Sequence, residues 1–160
     1  MFPEVVVGGR VPPLTTSRLV LEPVSQELAR AVVTGDLSGI RRAAGWPHAD
    51  TADAMALALG PDAGPSWVIT VDGEVIGDCG GFSWPDAGGA VEIGYGLAEP
   101  YRDRGYATEA AAAVCQWLFA EAGATVITAT TVDPENAASR RVLEKLGFEL
   151  VGDSFRLTRA

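Results

Sequence analysis

The chain has 160 residues, 48% hydrophobic and 21% charged, the makeup of one globular domain with room for a full core. With 21 acidic and 12 basic side chains its formal net charge is −9, which argues against non-specific nucleic-acid binding and leans toward a cationic acceptor such as an amine. No apolar run approaches the roughly 18 residues of a membrane span, and Cys79 and Cys115 form neither a metal spacing nor a disulfide framework, so they read as small core residues of a reducing, cytoplasmic setting.

Met1-Phe2-Pro3-Glu4 lacks the basic start of a signal peptide. Residues 1–16, interrupted by Pro3, Pro12 and Pro13, read as a loosely ordered leader to a single domain spanning 1–160. Arg18 to Val24 alternates as a first strand stopped at Pro23. Ser25 can cap a helix over 26–34 that closes at Gly35. Residues 36–50 are ambiguous, with a turn of helix around Ile40 to Ala44 as one reading. The only histidine, His48, falls there in the Pro-rich loop Gly45-Trp46-Pro47-His48 and reads as solvent-facing. A second helix follows over Thr51 to Leu59, capped by Asp50 or Thr51 and stopped at Gly60-Pro61.

Three strands come next, Trp67–Val71, Glu74–Phe82 and Ala90–Leu97. Asp72-Gly73 is a favoured hairpin turn between the first two, and Pro85 to Gly89 turns the chain into the third, giving an antiparallel meander. Ala107, Ala110, Ala111, Val114, Leu118 and Ala122 recur at helical spacing, with Gly123 as a stop. Thr125 to Thr131 is β-rich. Asn136 can cap a last helix carrying Val142, Leu143 and Leu146, and Phe148–Gly152 with Phe155–Thr158 can form a closing hairpin.

The chemistry concentrates in Tyr101-Arg102-Asp103-Arg104-Gly105-Tyr106-Ala107-Thr108-Glu109-Ala110. A small-residue turn that opens a helix leaves backbone N–H groups without partners. Those donors, the helix dipole and the guanidiniums of Arg102 and Arg104 suit an anion such as a pyrophosphate. A dinucleotide-binding fingerprint fits poorly, because Gly94-x-Gly96 continues to Glu99 where a third glycine belongs, and no P-loop lysine motif is present.

Arg102-x-x-Gly105-x-Ala107, Glu92-Ile93-Gly94-Tyr95-Gly96-Leu97 and Asn136-x-x-Ser139-x-x-Val142-Leu143-Glu144-Lys145-Leu146-Gly147-Phe148 together resemble the GCN5-related N-acetyltransferase (GNAT) family. With Thr16-x-Arg18-Leu19-x-Leu21 the likeness is nearest to the branch of the ribosomal-protein N-terminal alanine acetyltransferases. The resemblance covers about residues 14–160. It implies an α+β fold in α/β/α layers, the acyl-CoA N-acyltransferase fold. Its central sheet is mixed, mostly antiparallel and splayed between the fourth and fifth strands. It also implies transfer of an acetyl group from acetyl-CoA to a primary amine, a protein N-terminus or a small molecule, by direct attack in a ternary complex. A non-catalytic acyl-CoA-binding module on the same fold is the alternative. No metal, nucleic acid or membrane is called for, and a homodimer is left open.

The resemblance assigns the cofactor to the backbone of Tyr95, Gly96 and Leu97, to Arg102, Arg104, Gly105, Tyr106, Ala107 and Thr108, and to Asn136. Glu92 shares one strand face with Gly94 and Gly96, which makes it the candidate general base. A tyrosine further along the last helix protonates the leaving thiolate in many relatives. Val142 and Leu143 occupy that region here, which leaves Ser139 as the candidate acid. Plain structural roles stay open for Glu92, as a strand charge, and for Asn136 and Ser139, as capping residues.

Overall fold

The computed structural model describes residues 11–48, 50–129 and 137–159. The strands are β1 (Leu14–Thr15), β2 (Val20–Pro23), β3 (Ser66–Val71), β4 (Glu74–Gly81), β5 (Ala90–Leu97), β6 (Val126–Ala129), β7 (Glu149–Val151) and β8 (Ser154–Thr158). The helices are α1 (Gln26–Thr34), α2 (Thr51–Ala58), α3 (Tyr106–Glu121) and α4 (Ala137–Lys145), with a 3-10 turn at Glu99–Tyr101.

Local signals set the element boundaries. The Ser25 hydroxyl accepts the Leu28 N–H at 3.0 Å to open α1, and Gly35 ends it in the left-handed region at φ 83°. Asp72 and Gly73, at φ 50° and 81°, supply the two left-handed residues that a tight β3–β4 hairpin needs.

One sheet has the order β1-β2-β3-β4-β5-β6-β8-β7. Its pairs are antiparallel except β5 with β6, where the α3 crossover brings the chain back in the same direction. Among the described residues β5 pairs with β6 at Ala90–Glu92, against Val126–Thr128. From Ile93 to Leu97 it pairs with β4 alone among the described residues. This is the expected splay, and counting β1 moves it from the fourth and fifth strands to the fifth and sixth.

Leu21, Trp67, Ile69, Ile76, Leu118 and Ile127 are fully buried in the core. α3 packs on β1, β4 and β5, and its buried Ala110, Ala111 and Val114 permit close approach. Among the described residues no helix is long and apolar enough to cross a membrane.

Two stretches differ from expectation. Leu14 and Thr15, within the expected leader, pair with Leu21 and Val20. The Trp67 indole N–H also donates to the Pro12 carbonyl at 2.7 Å, so these residues form the edge of the sheet, where proline is tolerated. Residues 36–48 hold no helix. The Ala43 N–H donates to the Val75 carbonyl and the Val75 N–H to the Arg41 carbonyl, both at 2.9 Å, so the segment runs beside the start of β4. Gly39 and Gly45, at φ 84° and 92°, interrupt helical geometry, and fully buried Trp46 pins the segment to the core.

Candidate active site

Two cavities meet against β5. The larger, about 760 Å³, opens at the splay. Tyr95, Gly96 and Leu97 form its back wall, and the Arg102–Gly105 turn with the first turn of α3 forms one side. Ser139, Arg141, Val142 and Lys145 of α4 form the other side. Backbone groups alternate along β5. Those of Glu92 and Ala98 face β4, where the Glu92 carbonyl accepts from Phe82 and the Ala98 N–H donates to Ile76. Tyr95 and Leu97 therefore turn their backbone toward the gap. Gly96 turns its own toward β4 and contributes instead the absence of a side chain.

The turn before α3 is built for close approach. Asp103 and Gly105 both adopt left-handed backbone, at φ 64° and 83°. Gly105 caps α3 without a side-chain hydrogen bond, which leaves the first N–H groups of the helix for another acceptor. Ala107 and Thr108 line the cavity there, and Arg102, whose Nε donates to the Leu97 carbonyl at 3.1 Å, adds positive charge.

Arg104 and Tyr106 do not line the cavity; they brace it. The Arg104 guanidinium lies 5.6 Å from the Tyr101 ring centroid, and the Arg104 carbonyl accepts from Arg18 at 3.0 Å. Arg18 stacks on Tyr106 at 4.3 Å and pairs with Glu109 at 2.8 Å. Thr16 also donates to Glu109, so the segment before β2 is tied to the first turn of α3.

Arg141 and Lys145 are cavity residues that sequence reasoning missed. The signal was present, since Ala138, Arg141, Val142 and Lys145 fall on one helical face. Asn136 lies outside the described residues. Ser139 is where the sequence put it, and its Oγ lies 2.9 Å from the Tyr95 hydroxyl, which also donates to the Ser139 carbonyl at 3.1 Å. Burial raises the Tyr95 pKa, and the Ser139 hydrogen bond pulls it partly back. A tyrosine of β5, not of the last helix, is thus joined to Ser139.

The smaller cavity, about 390 Å³, has a different character. Trp67, Met55, Leu57 and Phe82 give it apolar walls, and Asp50, Asp53 and Asp78 give it carboxylates. Arg102, Arg141 and Lys145 line only the larger cavity, whereas His48, Asp50 and Tyr95 line both. His48 is therefore not solvent-facing as expected. Its side chain is 18% exposed, with Nε2 3.5 Å from Asp78 Oδ2. Buried Trp46 carries it inward, and Gly96 makes room, because a methyl group there would collide with the imidazole.

Asp78 accepts from the Trp46 indole at 2.9 Å and from the Thr51 hydroxyl at 3.0 Å. Burial raises its pKa, opposed by His48, Trp46 and Thr51. Cys79 and Cys115 behave as core residues, with burial pushing both thiols up, Cys115 to about 12.

Glu92 stands apart from this junction. It keeps the strand face expected of it but lines neither cavity. The Phe82 ring covers Gly94, the next residue on that face, at 2.8 Å from where a methyl group would sit. By strand rise Glu92 is about 13 Å from Gly96.

A splayed sheet with a basic, glycine-turned helix start on one side of the gap defines an acyltransferase cleft. Residues 18–149 match the acetyltransferase (GNAT) domain, and the chain belongs to that family of acetyl-CoA-dependent N-acetyltransferases. It is 30% identical over 151 residues to the uncharacterized N-acetyltransferase YjdG of Bacillus subtilis, covering 86% of this chain and 89% of that protein. The crystal structure of an acetyltransferase from Agrobacterium tumefaciens has the same fold, with TM-score 0.66 at 24% identity over 93% of this chain and 95% of that one. Mycobacterium smegmatis RimJ, solved in complex with CoA-disulfide, matches with TM-score 0.65 at 25% identity over 92% of this chain and 86% of its own.

Proposed function

We propose that this chain moves the acetyl group of acetyl-CoA to a primary amine by direct attack within a ternary complex. The observation that carries the reading is the division of charge between the two cavities. Arg102, Arg141, Lys145 and the uncapped start of α3 suit the pyrophosphate of CoA. The apolar, carboxylate-bearing cavity suits an ammonium with an organic substituent. The reacting atoms meet where the cavities share His48, Asp50 and Tyr95.

The N–H groups of Tyr95 and Leu97, turned toward the splay, are the donors for pantetheine and for the charge that grows on the thioester oxygen. Ser139, coupled to Tyr95, gives the departing sulfur its proton. An α-amino group asks less of the base than a lysine does. It titrates near ~7.8 against ~10.4, so reaching the neutral form at pH 7 costs about 1 kcal/mol and not about 4.6.

The test is an acetyl-transfer screen over Ala- and Ser-initiated peptides, polyamines, amino acids and aminoglycosides, read by mass. Acetylation of at least one amine is expected, with the α-amino compounds ahead. Binding of acetyl-CoA with no acetylated product across the panel sinks the reading and leaves a non-catalytic module.

A further inference from the structure

The proposed reaction needs a group that removes a proton from the amine, and its place is at the junction of the cavities. We propose that His48, oriented by Asp78, is the general base of this site. The inference rests on the amine-acceptor reading above.

Four observations meet at this residue. His48 lines both cavities, as a side chain between donor and acceptor must. Its position is built: the His48 N–H donates to the Thr51 hydroxyl at 3.2 Å, and the Thr51 hydroxyl donates to Asp78 at 3.0 Å. The Trp46 indole fixes the same carboxylate oxygen at 2.9 Å. The ring rests on Gly96, the residue after the tyrosine whose hydroxyl meets Ser139, so adjacent positions of β5 touch the proposed base and the proposed acid.

The fourth observation is the state of the ring nitrogens. Nε2 is buried without a hydrogen-bond partner and faces Asp78 Oδ2 at 3.5 Å. That is ion-pair range, and such contacts shorten when substrate closes a site. A proton on Nε2 directed at Asp78 leaves the Nδ1 lone pair as the free acceptor. Imidazole is the side chain best suited to exchanging a proton near neutral pH. Glu92, the base suggested by the strand face, lines neither cavity.

The step balances. As the amine nitrogen bonds to the thioester carbonyl carbon, one N–H proton passes to His48. The C–S bond breaks with its electron pair on sulfur, which takes a proton from the Ser139–Tyr95 hydroxyl pair. Solvent replaces that proton, and His48 releases its own to solvent. The titratable and charged groups that line the smaller cavity with His48 are Asp78 and Cys79 from β4, Tyr95 from β5 and Asp50 and Asp53 from the start of α2. Arg102 and Asp103 lie across the larger cavity.

The experiment is kcat/KM against pH for wild type, His48→Gln and Glu92→Gln, on an amine acetylated in the screen, with acetyl-CoA affinity and Tm measured alongside. His48→Gln is expected to lose about 100-fold or more at pH 7 with unchanged acetyl-CoA affinity, and to recover as pH rises only the ~7-fold that unaided deprotonation of an α-amino acceptor supplies. Glu92→Gln is expected to lose less. A His48→Gln rate within threefold of wild type, or a larger loss in Glu92→Gln, overturns the proposal. Wild type with no amine turnover overturns the acceptor reading itself, and this proposal with it.

If His48→Gln does not fold, diethyl pyrocarbonate on the wild-type protein asks the same question, because the chain has a single histidine. Modification should abolish turnover, spare acetyl-CoA binding and be reversed by hydroxylamine. Full turnover after complete modification of His48 overturns the proposal.

Discussion

Replacing Glu109 with Gln should destabilise the protein and weaken its donor site together. The Glu109 carboxylate accepts from the Thr16 hydroxyl, and from the Arg18 N–H and Arg18 Nε at 2.8 Å each. Arg18 is 46% exposed, so solvent screening limits its ion pair to a fraction of a kcal/mol. The Thr16 and Arg18 backbone bonds to a charged acceptor add about 1 kcal/mol each once their partial exposure is allowed for. Glutamine keeps one acceptor oxygen and turns an amide toward donors. The expected loss is about 2 kcal/mol, or roughly 6 °C in Tm for a domain of this size.

The pH dependence gives a second reading of the same contact. Burial alone would raise the Glu109 pKa, but the hydrogen bonds from Thr16 and Arg18, with the Arg18 charge, outweigh it and hold it below the ordinary carboxylate range. A depressed folded pKa gives stability that is fully present above the unfolded value, near ~4.3, and lost as pH falls through the folded value. Thermal unfolding of both proteins from pH 7 down to pH 3 should show a gap that is full at pH 7 and narrows below about pH 4.3. Equal Tm at pH 7, or a gap that does not change with pH, would refute the reasoning. Because the contact braces the turn that opens α3, KM for acetyl-CoA should rise in the same mutant.

Two further perturbations address the donor site. Gly105→Glu forces a side chain into left-handed backbone at φ 83° and sets negative charge at the uncapped start of α3. Acetyl-CoA should then no longer raise Tm in a thermal-shift assay, and a normal ligand-induced rise would remove this turn from the donor site. Ser139→Ala and Tyr95→Phe should each lower kcat about tenfold or more while KM for acetyl-CoA stays within threefold, with the double mutant little worse than either, because the two hydroxyls act as one unit. Additive losses in steady-state kinetics would separate their roles.

What could be read from the sequence was what local chemistry decides. Gly105 announces the turn into α3 because a left-handed cap followed by Ala107 is a property of adjacent residues. The alternation of Val91, Glu92 and Ile93 gives the face on which Glu92 stands, but alternation says nothing of how far along the strand a cavity lies. His48 and Asp78 are 30 positions apart and belong to no motif. They meet only because buried Trp46 folds residues 36–48 alongside β4, and no residue in that loop signals the pairing. Arg141 and Lys145 are readable from helical period, but a basic helix face usually means solvent. Tyr95 was read through its backbone, whereas its hydroxyl, which finds Ser139 on a helix 44 residues later, depends on tertiary packing.

The short parallel contact between β5 and β6 divides the sheet into two blocks. Strands β1 to β5 form one block and β6, β8 and β7 the other, joined across three residue pairs among the described residues. A seam of that length has few backbone bonds to break, so the carboxy-terminal block should undergo sub-global opening ahead of the rest of the fold. The donor cavity spans the same seam, with Leu97 and Arg102 on one side and Ser139 and Lys145 on the other. Acetyl-CoA bound there, as proposed, would bridge the blocks and suppress the opening by mass action. Amide hydrogens of Val126–Ala129, remote from the Arg102–Gly105 turn in sequence, should therefore exchange more slowly when acetyl-CoA is bound. The substrate would act as a splint for the part of the protein that the sheet itself holds least.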